Sequence, residues 1–212
     1  MRVVRNAGIA TFLSVGAAWA APATVAALGD SLTQGFGLVP EDGFVPQLQR
    51  WLGMQGANAE LINAGVSGDT TAGGLSRIAW TLSDDVDALI VALGANDMLR
   101  GIDPGVARAN LDGILAEAGR QGVPVLLIGM DALPNYGPEY KAAFDAIYPE
   151  LANRHGTLYH PDFLGALAAL GDRAAALEKY MQPDGMHPNR DGVMLIVADI
   201  GPSVLELLAE ID

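Results

Sequence analysis

Short, almost wholly apolar runs alternate with longer stretches in which apolar residues recur every three or four positions. Runs of four to eight apolar residues bounded by glycine or polar residues read as strands buried on both faces, and the longer periodic stretches read as amphipathic helices. Strands are predicted at Thr24 to Leu28, Glu60 to Ala64, Ala88 to Leu93, Val123 to Met130 and Thr157 to Tyr159. Helices are predicted at Gly43 to Met54, Thr71 to Leu82, Pro104 to Gly122, Pro138 to His155 and Asp191 to Ile211. Pro104 and Pro138 stand where a first helical turn tolerates proline, because the missing N–H has no helical partner there. The order predicts an α/β fold, a parallel sheet with helices on both faces.

The first 20 residues break this pattern. Arg2 and Arg5 are followed by an apolar stretch from Ala7 to Ala18, and Ala18-Trp19-Ala20 offers small residues at cleavage positions. This is the pattern of a secretory signal, with the mature chain starting near Ala21. The apolar run before Pro22 is shorter than the roughly 20 residues of a membrane-spanning helix. An exported protein, periplasmic or secreted, with no stable membrane insertion after cleavage is expected. The 212 residues then divide into a signal at 1–20 and one domain at 21–212, large enough for a substantial core.

Composition narrows the chemistry. Twenty-five acidic against 12 basic residues give a formal net charge of −13, which disfavours nucleic acid and anionic membranes as partners. Nothing in the sequence points to an obligate assembly, and a monomer is expected. There are no cysteines, so a thiolate nucleophile, a zinc thiolate site and a disulfide framework are excluded.

In parallel α/β sheets, reactive groups gather beyond the carboxyl ends of the strands. The first three predicted strands run into Gly29-Asp30-Ser31-Leu32, Gly65-Val66-Ser67-Gly68-Asp69 and Gly94-Ala95-Asn96-Asp97. Only one of three histidines, His187, has a carboxylate close by in a turn-rich segment, Asp184-Gly185-Met186-His187-Pro188. Serine hydrolysis needs a hydroxyl nucleophile, a histidine base, an acid to orient it and donors for the oxyanion. Ser31 is the candidate nucleophile, since Gly29 lets the chain turn sharply after a buried strand. Ser67 is the rival, but Asp69 stands where a nucleophile elbow requires its last glycine, so Ser67 is read as loop structure. His187 is the candidate base, Asp184 its partner, and the Gly68 N–H and Asn96 amide are candidate oxyanion donors alongside the Ser31 N–H. His155, before Gly156, fits a helix end.

These four segments resemble the four sequence blocks of the GDSL, or SGNH, hydrolases, and the likeness spans the mature chain. Leu99-Arg100-Gly101, Leu133-Pro134-Asn135-Tyr136-Gly137 and Ile147-Tyr148-Pro149 are similar to the small periplasmic group of acyl-thioesterases, lysophospholipases and arylesterases within that family. The resemblance implies a three-layer α/β/α sandwich around a five-stranded parallel sheet, and a small-molecule ester or thioester substrate. It also implies a Ser31, His187, Asp184 triad, an oxyanion hole of Ser31, Gly68 and Asn96, and no metal or cofactor. Met98, Leu99, Ile102, Leu133 and Tyr136 are expected to contact the acyl or aryl group. Two other readings remain open: a carbohydrate acetylesterase using the same machinery, and a flavodoxin-like module binding phosphate or flavin through Gly29 to Gly37. The second leaves Asp184 and His187 unexplained, and Asp30 would repel phosphate.

Overall fold

The computed structural model describes residues 21–211; the expected signal at 1–20 lies outside them. Five strands, β1 (Ala23–Gly29), β2 (Ala59–Gly65), β3 (Ala88–Ala92), β4 (Val125–Ile128) and β5 (Leu158–His160), form one sheet in the order β2-β1-β3-β4-β5. Every pairing is parallel. Ten helices are described among these residues: α1 (Ser31–Gln34), α2 (Phe44–Met54), α3 (Thr71–Thr81), α4 (Ala95–Leu99), α5 (Pro104–Gln121), α6 (Pro138–Asp145), α7 (Ile147–His155), α8 (Gly165–Ala168), α9 (Arg173–Tyr180) and α10 (Arg190–Leu208).

The apolar runs become strands because their side chains have no polar face to present. Val25, Ala26, Leu28, Leu89, Leu126 and Leu127 are fully buried, each larger side chain contributing about 1.5 to 3 kcal/mol through its removal from water. Helices α2 and α10 pack together on one face of the sheet, while α3, α5 and α7 pack in series on the other. A Cβ on Gly201 would lie 2.6 Å from the Trp51 ring, so the missing side chain is what lets α10 close on α2.

The stretch Pro138 to His155, expected as one helix, is two, broken at Ala146. Pro149 has no N–H to return to the carbonyl of Asp145, so the helical ladder cannot run through this point. Strand β4 starts at Val125, because Val123 and Pro124 belong to the turn that follows α5: the Val123 N–H caps back onto Ala118. The one-turn helices α1, α4 and α8 and the eight-residue α9 are additions to the sequence reading.

Candidate active site

The site lies where β1, β2 and β3 end. Strand β1 stops at Gly29, and a Cβ there would meet the Thr33 hydroxyl at 2.0 Å and the Ala92 carbonyl at 2.9 Å. Only glycine allows the chain to turn this tightly from strand into α1. Asp30 caps α1, its Oδ1 accepting the Leu32 N–H at 3.0 Å, and Ser31 occupies the first helical position.

Ser31 and His187 are 156 residues apart in sequence, yet Ser31 Oγ lies 2.8 Å from His187 Nε2. On the other side of the ring, His187 Nδ1 lies 2.6 Å from Asp184 Oδ2. A carboxylate can only accept here, so Nδ1 carries the proton and Nε2 is left with a lone pair toward the Ser31 hydroxyl. Asp184 Oδ1 also accepts the N–H groups of Met186 and His187, at 2.9 and 3.0 Å. The hydrogen bond from the imidazole, followed by the two from the backbone, holds the Asp184 carboxyl down at about 2. Phe36 packs against the imidazole with ring centroids 4.7 Å apart.

The two further candidate donors border the same space. Gly68 has φ of +80°, a left-handed conformation that glycine adopts without steric cost. Its carbonyl accepts from Arg100 Nη2 at 2.7 Å, and the adjoining Asp69 receives Arg77 Nε at 2.8 Å. Arg77 also donates to the carbonyls of Ala64 at 2.6 Å and Gly29 at 2.9 Å. One guanidinium thereby ties the ends of β1 and β2 to the loop carrying Gly68. Asn96, at the start of α4, donates from Nδ2 to Asp30 Oδ2 at 3.3 Å. The next residue, Asp97, is buried and accepts both the N–H and the hydroxyl of Thr71, at 2.8 and 2.7 Å, fixing this loop to α3. Desolvation raises the Asp30 carboxyl to about 6.

Ser67 borders the same cavity, but its hydroxyl donates to Gln34 Oε1 at 2.8 Å. His155 stands at the end of α7, with Nε2 2.6 Å from Asp112. Among the described residues, no group of three or more acidic or histidine side chains is arranged to hold a metal ion.

A cavity of about 710 Å³ opens beside Ser31 and His187. Of the side chains expected to contact substrate, Met98, Leu99 and Leu133 line it, and Ile102 and Tyr136 do not. Tyr136 instead lies over Gly101 and donates to the Leu99 carbonyl at 3.2 Å, and the Ile102 carbonyl accepts from Tyr140 at 2.9 Å. Sequence reasoning did not pick out Phe36, Met130, Leu164 or Leu167, which also line the cavity. Met130 and Leu164 follow β4 and β5, where the rule that ligands gather beyond strand ends could have found them.

The serine, the histidine and the aspartate thus stand in line at one edge of a doubly wound parallel sheet. Residues 27–195 match the GDSL-like Lipase/Acylhydrolase family. The chain is 36% identical to Esterase TesA of Pseudomonas aeruginosa over 190 residues, covering 89% of this chain and 91% of that protein. It is 33% identical to Thioesterase 1/protease 1/lysophospholipase L1 of Escherichia coli K12 over 174 residues, covering 81% of this chain and 78% of that one. The crystal structure of AlinE4, an SGNH-hydrolase family esterase, is similar at a TM-score of 0.72 and 42% identity, covering 90% of this chain and 99% of that one. The chain belongs to the GDSL-like lipase/acylhydrolase family.

Proposed function

We propose that this protein hydrolyses carboxylic esters and thioesters of small molecules through an acyl-enzyme on Ser31. The observation that carries the reading is the continuous line from Asp184 through His187 to Ser31, with separations of 2.6 and 2.8 Å, at the edge of a largely apolar cavity. Esterase and thioesterase are also the names of relatives that match most of the chain.

In the first half-reaction Ser31 Oγ attacks the acyl carbonyl carbon as His187 Nε2 takes its proton. The resulting oxyanion is met by the N–H groups of Ser31 and Gly68 and by the second Nδ2 hydrogen of Asn96, whose first is held by Asp30. Collapse breaks the bond to the alcohol or thiol, which leaves with the proton from His187. Water, deprotonated by the same nitrogen, then attacks the acyl-enzyme, and the acid is released as Ser31 regains its proton. Asp184 keeps the imidazole in the required tautomer and offsets the imidazolium charge in both halves.

Cleavage of residues 1–20 and export as a monomer belong to the same proposal. No helix among the described residues is long and apolar enough to cross a membrane. The test is hydrolysis of nitrophenyl acetate, butyrate, octanoate and palmitate and of palmitoyl-CoA by mature protein and its Ser31→Ala variant. Turnover that vanishes with Ser31 supports the reading. Equal rates in both proteins overturn it, and turnover confined to acetyl esters turns it toward deacetylation of sugars.

A further inference from the structure

The cavity runs along the carboxyl edge of the sheet, and its two ends differ in chemistry. Ser31 follows β1, Asn96 follows β3, Met130 and Asp131 follow β4 and Asp162 follows β5, and all of them line it. Neighbouring strands are about 4.8 Å apart, so β4 lies about 10 Å from β1 and β5 about 15 Å from it. Between these limits the walls are apolar, formed by Met98, Met130, Ala132 and Leu133. At the β4 and β5 end Asp131, Asp162 and Lys141 join the lining, beside Leu164 and Leu167.

The charged groups at that end are differently engaged. Lys141 Nζ donates to Asp145 Oδ2 at 2.7 Å and to the Ala132 carbonyl at 2.8 Å. Asp162 is partly buried and accepts the Leu164 N–H at 3.2 Å. Burial raises its carboxyl above the ordinary range, as expected of a charge set against apolar walls. Asp131 is exposed.

Building on the esterase reading above, we propose that the acyl group occupies this run and that Asp131 and Asp162 end it, making them the residues that select medium acyl chains over long ones. The leaving group takes its proton from His187 Nε2 and departs beside that ring, which leaves the apolar run to the acyl chain. An extended hydrocarbon with bonds of about 1.5 Å and near-tetrahedral angles advances about 1.25 Å per carbon. Its end therefore reaches the carboxylates after roughly eight to twelve carbons. Up to that point each methylene strengthens binding about three- to fourfold. Beyond it, each added methylene would strip water from the Asp131 and Asp162 carboxylates and offer no donor in its place, leaving Asp162 with backbone N–H partners only.

The test is kcat/KM for nitrophenyl esters from butyrate to palmitate, measured on wild type, Asp131→Leu and Asp162→Asn; the asparagine keeps the acceptor for Leu164. Wild type is expected to peak between octanoate and dodecanoate. The palmitate-to-octanoate ratio is expected to rise at least tenfold in Asp131→Leu and to rise also in Asp162→Asn. A wild type that favours palmitate, or ratios unchanged in both variants, overturns the proposal. So does a shift seen only when the alcohol of an acetate ester is lengthened. Absence of Ser31-dependent butyrate hydrolysis would instead overturn the esterase reading, which keeps the two failures apart.

Discussion

Asp30 and Asn96 share a hydrogen bond inside the site, with the Asn96 amide 3.3 Å from Asp30 Oδ2 while Asp30 Oδ1 caps the helix that carries Ser31. One carboxylate thus sets the turn bearing the hydroxyl and the angle of the amide facing it. The arrangement costs stability. Asp30 is 1% exposed, and its carboxyl is raised from 3.8 to about 6, which corresponds to a penalty of about 3 kcal/mol when it is ionised. The folded state binds this proton more tightly than the unfolded chain. The penalty is therefore full above pH 6 and is relieved as pH falls toward 4. Asp30→Asn removes the charge but gives up one acceptor, worth about 1 kcal/mol. It is expected to be about 1 to 2 kcal/mol more stable than wild type at pH 7.5 and to have lower kcat. Urea unfolding across pH should show this advantage shrinking toward pH 4; an advantage that grows on acidification would contradict the assignment.

In the proposed mechanism, Asn96→Ala removes one of three donors from the oxyanion. The expected loss is about 2.7 to 4 kcal/mol of barrier, or roughly 10² to 10³ in kcat, with a small change in KM. Steady-state kinetics on a butyrate ester measure it, and a loss that falls on KM alone would place Asn96 in ground-state binding.

Asp184→Asn keeps an oxygen for the Met186 and His187 N–H groups but turns an N–H toward His187 Nδ1. The ring must then carry its proton on Nε2, facing Ser31, where it cannot act as base. A loss of about 10⁴ in kcat is expected, as for the same change in a serine protease, with little change in unfolding temperature. Because the wild-type carboxyl sits at about 2, Asp184 stays ionised across the working pH range. What it adds to stability is fully present above about pH 4 and is lost only as pH falls through 2.

Arg77→Met takes this donor from the Ala64 carbonyl and Asp69 and leaves the Gly29 carbonyl with the Val66 N–H. Urea unfolding should show a loss of about 2 to 3 kcal/mol. Because the guanidinium no longer reinforces the Val66-to-Gly29 backbone bond between the loops of Gly68 and Ser31, kcat should fall at least about tenfold. Unchanged kcat in the folded variant would show that the two loops hold their places without it.

The strands and most of the site could be read from sequence because both are written locally. Val25 to Leu28 and Ala88 to Ala92 are apolar without interruption, and the loops after them carry the small and polar residues that a strand end needs. The details that escaped depend on contacts across the fold. Tyr136 and Ile102 were apolar residues in the right loops, but the hydroxyls of Tyr136 and Tyr140 bind backbone carbonyls at Leu99 and Ile102 and draw that segment into a packed unit beside the cavity. Helix α9 has eight residues, too few to show a clear helical period. The burial of Asp30 and the triple engagement of Arg77 follow from β1 and β2 lying side by side, which no stretch of either strand announces.

The 156-residue interval between Ser31 and His187 makes the site depend on both ends of the domain. The loops after β1, β2 and β3 bring Ser31, Gly68 and Asn96 to one cavity, and none of these loops carries a histidine. His187 comes from the turn just before α10, and α10 docks against α2, the second helix of the fold. Under the proposed mechanism, acyl transfer therefore needs the loop after the first strand and the turn before the last helix held together, which makes activity a readout of the whole domain's closure.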